Sequence, residues 1–187
     1  MQVALQQQDY VLFSEELKKY YPQIYNELSE ILSHHNVRHG VLKGTADYWC
    51  RDYMPIQVDY DRFVQFRYHP DYLKGYRDYE TPTEVSLELA KKLTSASIET
   101  SPIIADGGNF TFASIKRGRG YTPVVVMTEK VFFENSEVAG ENLVYQLEKL
   151  FPKHKLLFLP WDRGDACGHT DGILHAVGPN KLLVNLK

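Results

Sequence analysis

The chain has 187 residues, 43% of them hydrophobic and 24% charged, the makeup of one ordinary globular domain with a sizeable core. A formal net charge of -3 argues against a general nucleic-acid binder, and "KRGRG" (116–120) reads as a hairpin turn rather than a basic patch. No stretch reaches the ~18 apolar residues of a membrane span, and "MQVALQQQDYVLF" lacks a signal-peptide pattern, so a cytoplasmic protein without membrane association is expected. Cys50 and Cys167 make no disulfide framework and read as small, buried, reduced thiols.

In chain order, residues 14 to 33 predict an amphipathic helix, with Leu17, Tyr21, Ile24, Leu28 and Ile31 or Leu32 at helical spacing. Ser14 is its expected cap, and Pro22 a kink or restart. A turn and short strand follow in "HHNVRHGVLKG". Residues 56 to 68 predict two strands around a turn at Asp59 to Asp61, and a polar, Tyr-rich excursion, a lid or simple surface loop, runs to Glu80. "TPTEVSLELAKKL" predicts a helix capped by Thr81, with Pro82 first and Glu84 completing a capping box. Strands "IETSPIIA", "NFTFASI" and "TPVVVMT" precede a second helix, predicted from a cap at Asn135 or Ser136 to about Phe151. "KLLFLP", "ILHAV" and "KLLVNL" close the sequence as strands. Each helix is followed by several short strands, which disfavours a Rossmann alternation and predicts a repeated ββαβ unit.

Three polar stretches fall at strand ends. In "DYWCRDYMP", Asp47 and Asp52 admit two readings. Arg51 pairs with an acid while Asp52 caps a turn, or the two carboxylates receive a planar cation with Trp49 as a stacking face. "DGGN" (106–109) is a Gly-rich turn or a close approach to a ligand beside Asp106. In "DACGHTDG" (165–172), His169 and Asp171 would share a face of extended backbone, where the acid tunes the imidazole for acid/base work. Asp165, Cys167, His169 and Asp171 could also offer metal ligands, but no recognised zinc spacing occurs. Neither a Walker loop nor a dinucleotide fingerprint is present, and no cofactor or metal is expected.

Together, "W49-C-R51-D52-x-x-P55", "D106-G-G-N109" and "G168-H169-x-D171" resemble the agmatine deiminase and bacterial-type peptidyl-arginine deiminase family of the guanidino-group-modifying superfamily. The resemblance implies an α/β fold, a five-bladed pentein propeller of ββαβ modules, of which 187 residues would supply about three. The chain would then be a single domain, 1–187, forming the N-terminal portion of a longer one. The implied chemistry is thiolate attack on a guanidinium carbon with release of ammonia, a step of putrescine biosynthesis in agmatine deiminases. His169 matches the catalytic histidine, and Asp52 and Asp171 match guanidinium-binding acids. Asp106 stands where agmatine deiminases usually have Glu, and Asp47 and Trp49 lie near the substrate. The implied partner is a small guanidinium compound: agmatine, arginine or a peptidyl arginine.

The family's nucleophilic Cys lies in a Gly-rich motif well beyond Gly-His-x-Asp, whereas this sequence reaches Lys187 without one. Cys167 shares a loop with His169 and Cys50 sits between Trp49 and Arg51, so neither is expected to replace it, and the chain alone is expected to be inactive. The alternatives are a non-catalytic binder of guanidinium or other cationic ligands and an amidinotransferase-like enzyme. Open strand edges would also favour a homodimer.

Overall fold

The computed structural model describes residues 10–185. β1 (Tyr10–Ser14) leads into α1 (Glu15–Tyr20), α2 (Pro22–His34) and β2 (Arg38–Leu42); then come α3 (Cys50–Tyr53), β3 (Ile56–Asp59) and β4 (Arg62–Arg67). Two 3-10 turns, Asp71–Leu73 and Arg77–Tyr79, precede α4 (Thr83–Leu93) and β5 (Ser97–Ile104). After a further turn at Gly107–Asn109 follow β6 (Thr111–Arg117), β7 (Gly120–Thr128), α5 (Lys130–Glu134), α6 (Gly140–Leu150), β8 (Lys155–Leu159), β9 (Leu174–Gly178) and β10 (Lys181–Val184).

The strands form four small sheets with a recurring connection. β3 and β4 are an antiparallel hairpin, and β4 then pairs in parallel with β5 across α4. β6, β7 and β8 repeat this arrangement across α5 and α6. β9 and β10 form a third antiparallel hairpin, and β1 pairs in parallel with β2 across α1 and α2. A parallel pair needs a crossover long enough to return the chain, which the helices supply. The ββαβ reading of the sequence thus has two full instances.

One core joins the two three-stranded sheets. Ile56, Val58, Val64 and Phe66 meet Ile103, Phe110, Val125, Met127 and the α6 residues Leu143 and Leu147. Phe66, Phe110 and Phe151 are in ring contact at its centre, with centroids 4.9 to 6.3 Å apart. Alternation explains which residues enter: in β3, Ile56 and Val58 are buried and Gln57 is exposed.

Several local predictions hold. Ser14 Oγ accepts the Glu16 N–H at 3.0 Å, and Pro22 restarts the helix after Tyr20. Others need correction. The Thr81 hydroxyl accepts the Ala46 N–H at 2.9 Å, and Pro82 holds the cap position of α4 without a side-chain bond. Asn135 caps no helix. Its amide brackets Ile104, accepting that residue's N–H at 2.9 Å and donating to its carbonyl at 2.8 Å, and α6 begins at Gly140. The apolar stripe of α2 faces outward, with Ile24, Leu28 and Ile31 exposed.

Candidate functional site

The site begins with the turn after β5. Asp106, Gly107, Gly108 and Asn109 are all buried, because backbone and side chains from three directions converge there. A Cβ on Gly107 would collide with the Arg51 carbonyl, and one on Gly108 with the His169 ring and the Asp52 carboxylate, so both must be glycine for steric reasons. The Asn109 side-chain oxygen accepts the Thr128 N–H at 2.8 Å, tying the turn to the end of β7.

Asp52 is delivered by α3, a single helical turn, where the sequence predicts a strand end. Its Oδ1 accepts the Gly108 N–H at 2.9 Å, while Arg51 reaches the Phe110 carbonyl at 2.8 Å. Both partners of α3 therefore lie in the glycine turn, some 55 to 60 residues away in sequence.

His169 comes from the long loop after β8. Thr128 donates its hydroxyl to the Gly168 carbonyl at 2.5 Å, Thr170 is wholly buried beside Thr111, and the Asp171 N–H reaches the Gly108 carbonyl at 3.1 Å. These ties bend residues 170 to 173 into a turn, which corrects the extended backbone expected for His169 and Asp171. The imidazole Nε2 lies 3.0 Å from Asp106 Oδ2, and Nδ1 lies 3.7 Å from Asp52 Oδ1. The ring of Tyr72, from the first 3-10 turn, meets His169 edge-on at 6.1 Å.

These contacts set the charges. Burial pushes the Asp52 carboxyl up to about 6, opposed by His169 and the Gly108 N–H and reinforced by Asp106 and Asp171. Burial alone would lower His169, but its bond to Asp106 and the charges of Asp52, Asp106 and Asp171 outweigh that and raise it. Asp106 is 2% exposed, and its second oxygen, Oδ1, has no hydrogen-bond partner among the described residues.

The remaining candidates sit further out. Asp47 is buried, with Oδ1 accepting the Trp49 N–H at 2.7 Å; burial raises its carboxyl, and the charge of Asp106 adds to this. Trp49 is 61% exposed against Tyr48, and Asp171 is exposed, acting on the site through its charge. Cys50 is half-buried under the Tyr53 hydroxyl at 3.2 Å, whereas Cys167 is exposed, which corrects its expected burial. Burial raises both thiols, so neither is activated. Among the described residues no group of three or more His, Cys, Asp or Glu could hold a metal ion, and no helix is long and apolar enough to cross a membrane. Tyr72 lay unremarked within the Tyr-rich excursion, and Thr128 at the end of a strand whose apolar run drew attention elsewhere.

This is the mixed α/β fold of the pentein-type deiminases. It resembles the agmatine deiminase of C. jejuni, with 19% identity and a TM-score of 0.67 over 94% of this chain and 60% of that one. A substrate-bound structure from the same organism gives 18% and 0.66, over 94% and 61%. An amidinotransferase of the saxitoxin pathway from Microseira wollei gives 14% and 0.51, over 90% and 55%. The chain thus spans about 60% of the length of the agmatine deiminase it resembles. The chain belongs to the Porphyromonas-type peptidyl-arginine deiminase family, whose profile matches residues 4–187. Among curated proteins none matches.

Proposed function

We propose that this chain is the guanidinium-binding and acid/base portion of a guanidine-hydrolysing deiminase of the agmatine or peptidyl-arginine type. The observation that carries the reading is the largely buried Asp106–His169–Asp52 row, assembled from a glycine turn, a long loop and a single helical turn, with one carboxylate oxygen of Asp106 free of hydrogen-bond partners among the described residues. A guanidinium presents N–H donors in a plane, which matches carboxylates better than any neutral ligand does. The structure of a C. jejuni relative with substrate bound supports the same ligand class here.

In this mechanism Asp52, with Asp171 at the rim, holds the guanidinium. Asp106 serves chiefly to orient His169 through Nε2, a different emphasis from direct substrate binding. A thiolate adds to the guanidinium carbon, forming a C–S bond and moving the π pair onto nitrogen. His169 delivers the proton with which ammonia departs, leaving an S-alkylthiouronium. Neutral His169 then takes one proton from water as it adds to that carbon, and the C–S bond breaks to return thiolate and an N-substituted urea, the remaining hydroxyl proton passing to solvent. Neither Cys50 nor Cys167 supplies the thiolate on this reading, since burial raises both thiols, so the nucleophile is a cysteine other than these two. The two ββαβ units and the flanking strand pairs are, on this reading, part of a pentein propeller.

Calorimetric titration with agmatine and a C-terminal arginyl peptide, alongside an ammonia-release assay, tests this. Millimolar or tighter binding, abolished in Asp52→Asn, without ammonia release is expected. No binding of either guanidine would overturn the reading, and ammonia release would overturn the assignment of the nucleophile.

A further inference from the structure

Lys130 is an unfavourable residue for its position. It opens α5, where the helix dipole disfavours a cation, and its side chain is 1% exposed, where an ammonium costs several kcal/mol unless paired. Its Nζ lies 2.6 Å from the Ala166 carbonyl and 2.8 Å from Asp71 Oδ1. It also stands over the Tyr72 ring, 4.7 Å from the centroid, and the Trp161 ring, at 5.5 Å. Glu134 Oε1 is 3.8 Å away, but burial pushes that carboxyl well up, so Asp71 supplies the compensating charge.

These partners are the two walls around His169. Asp71 and Tyr72 belong to the 3-10 turn whose Tyr72 ring meets the imidazole. Ala166 lies three residues before His169, and the intervening Gly168 has φ +62° with no room for a Cβ beside Trp161 and the Lys130 stem. We propose that Lys130 is a positioning residue for His169, clamping the Tyr72 turn to the 165–169 loop so that the imidazole keeps its bond to Asp106. This rests on His169 being the acid/base group of the proposed function, but its test does not depend on guanidine binding.

The test replaces Lys130 by Met in the 187-residue chain and follows the His169 ring by NMR, assigned by difference with His169→Gln. The sign of the change separates two roles. Removing a nearby positive charge alone would raise the pKa of His169, whereas loss of its bond to Asp106 lowers it towards the ordinary 6.5. Lys130→Met is expected to lower it, with unchanged far-UV circular dichroism and agmatine affinity reduced on the order of tenfold. An unchanged or raised His169 pKa in the folded variant overturns the proposal. If Lys130→Met does not fold, Asp71→Asn, at a side chain 41% exposed, decides through the Tyr72–His169 ring contact seen as a nuclear Overhauser effect. Weakening of that contact supports the clamp, and an unchanged contact overturns it. Should wild-type protein bind no agmatine, the guanidine reading fails while the His169 titration still judges Lys130.

Discussion

Two glycine-containing segments meet at the site and are held in opposite ways. In Asp106–Asn109 every residue is buried, Gly107 against the Arg51 backbone and Gly108 against the His169 and Asp52 side chains, so the turn is fixed by sterics. In 165–172 only Gly168 and Thr170 are buried, and the loop is held by side chains of Thr128, Lys130 and Trp161. The carboxylate of the His169–Asp106 pair is therefore set by the core and the imidazole by removable contacts. The first should fail by unfolding and the second by losing function.

Gly107→Ala should break the comparison at its rigid side. Its Cβ meets the Arg51 carbonyl, and a loss of more than about 3 kcal/mol in urea unfolding is expected. Gly108→Ala should cost less stability, about 2 kcal/mol, because the groups it meets are side chains. Its Cβ would lie 2.7 Å from Asp52 Oδ1, so agmatine affinity should fall more than roughly 100-fold by calorimetry.

The pH dependence sharpens the electrostatic half. The folded-state pKa of Asp52 and that of His169 are both raised, so each contributes stability that is present below its unfolded value and lost as pH rises through its folded one. For Asp52 that window runs from 3.8 to about 6, and for His169 it lies above 6.5. Thermal melts should show stability declining across both windows, with Asp52→Asn removing the lower one and gaining about 2 kcal/mol at pH 7. Guanidine affinity should run the other way, weakening as pH falls through about 6, where Asp52 takes up its proton.

On the adjustable side, Thr128→Val removes the bond to the Gly168 carbonyl and should cost about 1 kcal/mol, with a measurable fall in agmatine affinity. Cys167→Ser should be the smallest change, under about 0.5 kcal/mol with unaltered binding, since the thiol is exposed and unactivated. A large loss of binding there would give the loop a role that its geometry does not suggest.

The same contrast governs what could be read from the sequence. Asp52, Asp106 and His169, which the structure brings together, drew attention in the sequence because each stands in a short polar motif. The helix expected at 14–33, which the structure divides at Tyr21, was legible from its periodicity, the one in "TPTEVSLELAKKL" from its start signals, and the first two hairpins from their turns. Asn135 misled because its amide serves Ile104, 31 residues away, and a cap and a cross-strand bracket use the same residue type. Lys130 and Tyr72 were invisible for a related reason. One looks like an ordinary surface lysine and the other like one Tyr among 13, and only the approach of residues 71, 130 and 166 gives them a task. The outward stripe of α2 shows that periodicity predicts a helix without telling which face is covered.

The imidazole wedged between two carboxylates has a thermodynamic corollary. It acts as a resident counter-ion, so an incoming guanidinium is received by Asp52 beside a charge already in place. Uptake of ligand near pH 6 then expels the Asp52 proton to the medium, and the apparent binding heat must track the ionisation enthalpy of the buffer. Titrations in phosphate and in Tris should differ by the fraction of a proton released multiplied by the difference between the two buffers' enthalpies. That slope counts the proton leaving Asp52 directly, His169 keeping its own for the departing ammonia.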